Sequence, residues 1–447
     1  MFYVNKDTEL TVTLLQKMIV RFNREKQPTL NNYKNYYDGI QAILNRKYAD
    51  PAKPCNKSVT NYVRNIVDSY AGYLATPGYI SYRSEQEIDD IMEILKYNDF
   101  QTEDADFLLD ALIYGVAAEL MYIDNTGHTR FRLINPTTCF GICDDSLSGD
   151  LLYFVRMYKV NDWDDSNIYN VDVYSDYDVK HYTMHDMIGA LHFIGEEPHY
   201  FSQCPANIFT LPDEKSIFDC VMSLQDAANK ILSCELDDYE AFVDAYLVFE
   251  GAGILQPEQV ANLNRQKQKR TITLPEGVKA TWLTKNASDT QVENILNRIH
   301  DSIYRIAQCP DFSSESFVGG VSSGISIQYR LTGMENRAGI IEGKMKKALQ
   351  RRIEIICGIA SLKLGEEVIR DIQIEFKRNI PADVSSTINL INSLKGTVSD
   401  ATLLSQLDFI TDVNAELEAV QEQKQENMSL YSFGTPGFMN EEEDDEE

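Results

Sequence analysis

The stretch Gln291–Ala360 constrains this chain more than any other, because it holds two helical patterns split by a loop that belongs to neither. Before the loop, Val292, Ile295, Leu296, Ile299, Ile303 and Ile306 recur at helical spacing. After it, Ile327, Leu331, Met334, Ala338, Ile341, Met345, Leu349, Ile356 and Ile359 carry one apolar stripe through roughly nine turns. Between them runs Cys309-Pro-Asp-Phe-Ser-Ser-Glu-Ser-Phe-Val-Gly-Gly-Val-Ser-Ser-Gly324. Pro310 stops the first helix, and the Ser/Gly run keeps the connection from joining either neighbour. A long helix pair presenting a mobile, mostly uncharged loop suits a mechanical part better than an active site.

The remaining chain changes period twice. Up to about residue 115 it reads as helical. Leu10, Leu14, Met18 and Phe22 mark one amphipathic helix, Tyr33 to Leu44 a second, and Val59 to Tyr70 a third. Thr76-Pro-Gly78 interrupts, and helices are expected again near Ser84–Lys96 and Thr102–Tyr114. From Val116 the period becomes two. Val116–Ile123 and Thr129–Ile134 flank Asn125-Thr-Gly127, a hairpin signal, and strands are expected at Leu151–Val160, Ile168–Tyr174, Val179–Met184 and Ile188–Ile194. Their short connections imply an antiparallel, β-rich module over about 116–200. Helix returns at Ser216, read as capping with Asp219, and continues past Tyr246. A small mixed insert at 249–286 carries a basic knot, Arg265, Lys267, Lys269 and Arg270, with strands at Thr271–Leu274 and Ala280–Leu283. Beyond the opening stretch come a strand at Ile369–Arg378, helices at about 383–395 and 399–426, and the wholly acidic Glu441–Glu447, expected to be disordered. The fold class is therefore α+β, mainly helical and elongated.

Composition excludes several functions. The 69 acids against 41 bases leave a formal net charge of -28, unsuited to gripping nucleic acid, though not to surrounding it without holding it. Abundant tyrosine (25) beside scarce tryptophan (2) suits amphipathic contact surfaces. The eight cysteines, Cys55, Cys139, Cys143, Cys204, Cys220, Cys234, Cys309 and Cys357, form no CxxC pair and read as reduced thiols of a cytoplasmic protein. Charged residues interrupt the first apolar positions, so no signal peptide is read, and no run approaches the ~18 apolar residues of a membrane span.

Candidate chemistry thins out on inspection. Gly319-Gly320 and Ser323-Gly324 lack the Gly-Lys-Ser/Thr of a phosphate loop. His181, His185, His192 and His199 lie close in sequence but without metal-ligand spacing. Asp144-Asp-Ser-Leu-Ser-Gly149 and Asp162-Trp-Asp-Asp-Ser resemble the start of a calcium loop, yet Val155 and Val173 stand where its closing Glu belongs, so both read as turns. No nucleophile motif is present. No catalytic residue, metal or cofactor is expected. Lys344, Lys347 and Arg351 share a helix face opposite the apolar stripe. That face is open to three readings: a solvated surface, salt bridges with an acidic neighbour subunit, or a polar surface facing DNA.

Ordered fragments across about residues 30–380 then bring a family into view. They include Tyr36-Tyr-Asp-Gly39 with Ile43-Leu-Asn-Arg46, Asn56-Lys57, Ile66-Val-Asp68, Ile113-Tyr-Gly-Val-Ala117 with Glu119-Leu120, and Asp244-Ala-Tyr-Leu-Val248. Further on stand Trp282-Leu-Thr-Lys285, Pro310-Asp-Phe312, Ser322-Ser-Gly324 and Gln350-Arg-Arg352. In order and spacing the chain resembles the portal proteins of tailed bacteriophages, in the group typified by the SPP1 portal. The resemblance implies a homo-oligomeric ring, usually a dodecamer, at one capsid vertex, through which double-stranded DNA is packaged and ejected. It implies a wing (1–215), stem helices (216–248 and 287–310), a clip (249–286), a tunnel loop (311–324), a long channel helix with a returning wing strand (325–380) and a crown (381–430). The tunnel loop would comprise Ser314, Glu315, Ser316, Phe317, Val318, Gly319, Gly320, Val321, Ser322 and Ser323. The clip, with Arg265, Lys267, Lys269 and Arg270, would dock the terminase large subunit and later the head-tail connectors. Major capsid and scaffolding proteins are the other implied partners, the implied location is the virion after assembly in host cytoplasm, and no membrane is involved. The competing expectations are a metal-dependent nuclease using some of the many carboxylates and a non-portal virion adaptor.

Overall fold

The computed structural model describes residues 1–48, 53–159, 167–186, 189–243, 246–250, 279–283, 289–313, 324–359, 366–378, 391–404, 416–417, 419–420 and 423. The chain is α+β and divides into two units, Met1–Val318 with Leu331–Asn379 and Gly319–Arg330 with Ile380–Glu447. Among the described residues of the second unit, 324–330, 391–394 and Asp400–Leu404 are helical, and Ser399 Oγ accepts from Thr402 N at 3.4 Å ahead of the last of these.

In the first unit, strand β1 (Phe2–Val4) precedes helix α1 (Val12–Arg21), which Thr11 caps by accepting from Leu14 N at 3.3 Å. A π turn, Phe22–Lys26, passes the chain into α2 (Gln27–Tyr37). The helix expected from Tyr33 to Leu44 ends early. Gly39 adopts φ +81°, its N–H bonds Tyr36 O at 3.2 Å, and Ile40 N bonds Asn35 O at 2.7 Å, the paired bonds of a Schellman stop. Ile43 and Leu44 then fall in a separate 3-10 turn, Ala42–Asn45. Helices α3 (Tyr62–Leu74), α4 (Asp89–Tyr97) and α5 (Phe100–Tyr114) follow, with a short strand β2 (Ile80–Arg83) after the Thr76-Pro-Gly78 break.

The expected β module resolves into two sheets. Strands β3 (Val116–Ile123) and β4 (Thr129–Ile134) form the hairpin as read, and β10 (Ala206–Thr210) joins β3 to give the order β10-β3-β4. At its turn Asp124 Oδ1 accepts from Thr126 N at 2.9 Å and His128 N at 3.0 Å, and Gly127 takes φ +85°. Hydrogen bonds from Thr126 and His128 hold the Asp124 carboxyl down at about 2. The second sheet runs β1-β5-β6-β7-β8-β9, with β5 (Cys139–Asp144), β6 (Leu151–Lys159), β7 (Ile168–Tyr174), β8 (Asp178–His185) and β9 (Leu191–Pro198). All its pairs are antiparallel except β1 with β5. Ala118, Leu120, Phe154 and Ala206 belong to one buried cluster that joins the two sheets.

Ser216 does not cap a helix with Asp219. Its hydroxyl is buried and donates to Leu112 O at 3.0 Å, while Asp219 accepts from Tyr33 OH at 2.7 Å. The long helix α6 begins only at Met222 and ends at Val243; Tyr246–Glu250 is a strand, β11, paired antiparallel with β12 (Lys279–Leu283). The burial of α6 inverts its amphipathicity. Gln225, Asn229, Ser233 and Asp237, four residues apart, are buried, whereas Tyr239 from the apolar pattern is 71% exposed.

An extended strap explains this polar row. Asp237 Oδ1 accepts from Asn56 N at 2.6 Å, Ser233 Oγ from Ser58 N at 3.0 Å, Asn229 Oδ1 from Thr60 N at 3.0 Å, and Gln225 Oε1 from Tyr62 N at 3.0 Å. Every fourth helical side chain thus meets every second backbone amide. Four helical residues rise about 6.0 Å and two extended residues about 6.6 Å, so the two ladders keep step. Tyr36 OH adds a bond to Asp226 at 2.9 Å, tying α2 to the same helix.

Helix α7 (Asp289–Ala307) packs on α6, and α8 (Gly324–Cys357) is the longest helix described. The strand expected at Ile369–Arg378 is helical at its start, α9 (Glu366–Asp371); only β13 (Gln373–Phe376) is extended, paired antiparallel with β2. All eight cysteines are free thiols, and no described helix is long and apolar enough to cross a membrane.

Candidate functional site

Of the residues singled out in the sequence, Ser314–Ser323 and the basic knot Arg265, Lys267, Lys269 and Arg270 lie outside the described residues, as do the strand Thr271–Leu274 and the Asp162 turn. The third group, Lys344, Lys347 and Arg351, stands on α8. The stripe read there is observed: Leu331, Met334, Ala338, Ile341, Met345, Leu349 and Ile356 are buried. Lys344 and Lys347 are exposed on the other side.

Helix α8 is held by charged side chains at successive levels. At the first, Glu335 accepts from Tyr73 OH at 2.5 Å and from Arg378 Nη2 at 2.9 Å, and the same nitrogen reaches Glu342 at 2.5 Å. The bonds from Arg378 hold the Glu335 carboxyl below its ordinary range despite burial. Burial opposes the Arg378 charge, but its two carboxylates raise it above the usual guanidinium value. Two residues past Glu335, Arg337 donates to Ala307 O at 3.0 Å and Ile217 O at 2.7 Å, and Tyr70 OH donates to Ala307 O at 3.1 Å. The last carbonyl of α7 is thereby satisfied by a cationic and a phenolic donor.

The deepest level is Arg352, fully buried between Glu119 on β3 and Asp104 on α5. Its Nε lies 2.9 Å from Glu119 Oε1, its Nη2 2.8 Å from Oε2, and its Nη1 bonds Asp104. Tyr82 OH donates to the other Asp104 oxygen at 2.8 Å, and Asn207 Nδ2 ties Glu119 at 2.6 Å to Ala348 O at 2.8 Å. The guanidinium also stacks over Phe131, 4.4 Å from its centroid. Burial works against the Arg352 charge, and Glu119 and Asp104 more than reverse it. One cation facing two carboxylates leaves an excess negative charge, and burial pushes the Asp104 carboxyl up, opposed by Arg352. The cluster joins α8, α5, β3 and β10 in one network. Only Arg351, of the three basic candidates, is drawn inward, with Nη1 2.5 Å from Gln203 Oε1 and 3.8 Å from Glu354.

Lys344, Lys347 and Arg351 line one wall of a cleft of about 500 Å³. The consecutive run Ala206–Thr210 of β10, the segment Ser148–Leu151 and Glu354 line it as well. The Asp144 loop is a turn, its carboxylate accepting from Ser146 Oγ at 2.8 Å and Asp150 N at 2.9 Å. His181 packs in the sheet against Asp172 at 2.7 Å, and among the described residues no group of three His, Cys, Asp or Glu side chains is placed to hold a metal ion.

Sequence reading missed the Arg352 network and the α6 row, although each left a trace. Arg352 stands on the helical face of the apolar stripe between Leu349 and Ile356, and Glu119 interrupts the run Val116–Met121. Comparison with known proteins adds one positive finding. A family model described as phage portal protein, SPP1 Gp6-like, matches residues 17–430. No curated protein matches the chain.

Proposed function

This chain belongs to the family of SPP1 Gp6-like phage portal proteins, and on that premise we propose that it is the subunit of a ring, a dodecamer by analogy with the resembled group, whose central channel passes double-stranded DNA into and out of the capsid. The observation that carries the ring is the state of α7. Its apolar stripe is satisfied at Ile303, which is fully buried, but Ile295 and Ile306 are 42% and 47% exposed, and Leu236 and Tyr239 on α6 are exposed as well. An amphipathic helix pair left half covered in one chain fits heterologous packing against the next copy.

In this reading α6 and α7 are the stem, the sheets β1-β5-β6-β7-β8-β9 and β10-β3-β4 with α1–α5 the wing, β11 and β12 with 251–278 the clip, and 381–430 the crown. The loop Ser314–Ser323 forms the constriction. It offers Phe317, Val318 and Val321 as contacts without sequence readout, and its single charge, Glu315, gives phosphate nothing to hold. A net charge of -28 favours sliding over capture. Arg265, Lys267, Lys269 and Arg270 dock the terminase motor and the connectors, and energy comes from that motor. The chain itself is structural and not an enzyme.

Mass photometry and negative-stain images of the full chain test this directly: rings with a central hole are expected. Deleting Ser316–Ser322 leaves those rings intact and blocks DNA packaging or retention. Chains that stay monomeric at every concentration, or DNA-filled heads of normal yield from the deletion, refute the ring and the loop assignment respectively.

A further inference from the structure

We propose that the cleft between α8 and β10 receives an extended, acidic segment of a second copy of this chain, which adds to β10 as a fourth strand and sets carboxylates against Lys344 and Lys347. The inference rests on the ring reading above and names one contact within it.

Three observations meet in the cleft. First, β10 is the terminal strand in the order β10-β3-β4, and all five of its residues line the cleft. Pro205 O accepts from Met121 N at 2.8 Å and Leu211 N donates to Gly115 O at 2.9 Å, so the odd-numbered positions bond toward β3. Antiparallel alternation then turns the backbone groups of Ile208 and Thr210 away from β3, on the side that has no partner strand. An open strand edge of this kind is a template for strand addition.

Second, the wall beside that edge carries cations in a chain where acids dominate, 69 to 41. Lys346 is paired with Glu342 at 2.7 Å, but among the described residues Lys344 and Lys347 have no carboxylate partner. Third, the cleft is narrow. About 500 Å³ admits a strand and a few side chains, not the backbone of a duplex, and because Asp150 and Glu354 also line it, incoming carboxylates are confined to the Lys344 and Lys347 side. The chemistry selects an acidic peptide. A neighbouring copy, itself carrying 28 excess negative charges, supplies one at the concentration that ring formation imposes.

The test compares ring yield of the full chain with that of two variants, Lys344→Glu/Lys347→Glu and Thr210→Pro, by mass photometry at low and high salt. Proline removes an outward N–H and blocks strand addition while remaining tolerable at a sheet edge. Ring yield is expected to fall about tenfold or more in either variant, the loss of two ion pairs or of several strand bonds, with salt mimicking the charge reversal. Circular dichroism of the subunits checks that they fold; should Thr210→Pro misfold, the double lysine variant, whose altered side chains are exposed, still decides the matter. If wild type forms no ring, the ring reading itself fails. Wild-type rings together with undiminished rings from the lysine variant overturn this inference alone. Undiminished rings that lose DNA retention do so too, by assigning the cations to DNA.

Discussion

Replacing Asn229 by leucine tests how α6 is held. Asn229 is fully buried. Its Oδ1 accepts from Thr60 N at 3.0 Å, Thr60 Oγ at 3.1 Å and Gln225 Nε2 at 3.0 Å, and its Nδ2 donates to Gln41 Oε1 at 2.5 Å. Leucine fills nearly the same volume but serves none of these partners. Each of the four bonds contributes about 1 kcal/mol, and stranding a buried partner costs about 1–3 kcal/mol. Thr60 lies near enough to the surface to recover water, so the loss should be about 3–5 kcal/mol, a large share of the ~5–15 kcal/mol typical of a folded domain. Asn229→Asp keeps the acceptor for Thr60 and loses only the bond to Gln41, so it should retain the strap at some cost in stability. Denaturant unfolding reads the energy, and hydrogen exchange reads the mechanism. The amides of Asn56, Ser58, Thr60 and Tyr62 should exchange slowly and their odd-numbered neighbours fast, with Thr60 released in the leucine variant. A leucine variant within about 0.5 kcal/mol of wild type, the scatter of inert surface changes, or unchanged Thr60 exchange, refutes the strap as the anchor.

Two further perturbations follow from buried charge. Arg352→Met leaves Glu119 and Asp104 buried without their cation and should cost about 3–5 kcal/mol, most of it recovered in Asp104→Asn/Glu119→Gln/Arg352→Met; a triple variant with simply additive losses refutes the network. Burial first, and Asp106 second, push the Asp110 carboxyl up to about 7, with Lys34 opposing. Because the folded value stands above the unfolded one, its contribution favours folding at low pH and is lost as pH rises through about 7. The shift corresponds to at most about 4 kcal/mol, and to less after allowing for its partial exposure. Asp110→Asn should therefore raise the melting temperature by an amount that grows from about pH 4 to about pH 7 and then levels off, and an equal gain at low pH contradicts the assignment.

What the sequence revealed followed the range of the interaction. The α8 stripe, the β3–β4 hairpin and helices α3, α5 and α7 are written in local period, and each lies close to its expected bounds. Strands β2, β10 and β11 span four or five residues apiece, too few for a periodic signal. β2 and β13 owe their strand character to each other across about two thirds of the chain, Arg83 pairing with Gln373. The end of α2 was misread because apolar spacing continues on both sides of Gly39, and the stop depends on backbone bonds that spacing does not encode. For Arg352 and Glu119 the single anomalies were visible, but nothing in one sequence says that they answer each other. On α6 the polarity itself misled. A row of Gln, Asn, Ser and Asp faces inward because its partner is bare backbone, which has no side-chain signature. Of the candidate surface, the position of Lys344, Lys347 and Arg351 on one face was legible; the open strand beside them was not.

The strap along α6 also works as a vernier. Each rung gains about 0.6 Å on the helix, so over three intervals the ideal ladders drift by about 2 Å, which the side chains absorb, since the four bonds stay at 2.6, 3.0, 3.0 and 3.0 Å. The two segments are consequently geared to each other in length. Losing one residue between Asn56 and Tyr62 would turn the wrong amides toward α6. Losing two would move the remaining amides one rung along, a change that only a four-residue deletion in the helix could match. Drift in this chain's length is thus free to accumulate in its loops, but across these seven residues it is quantised.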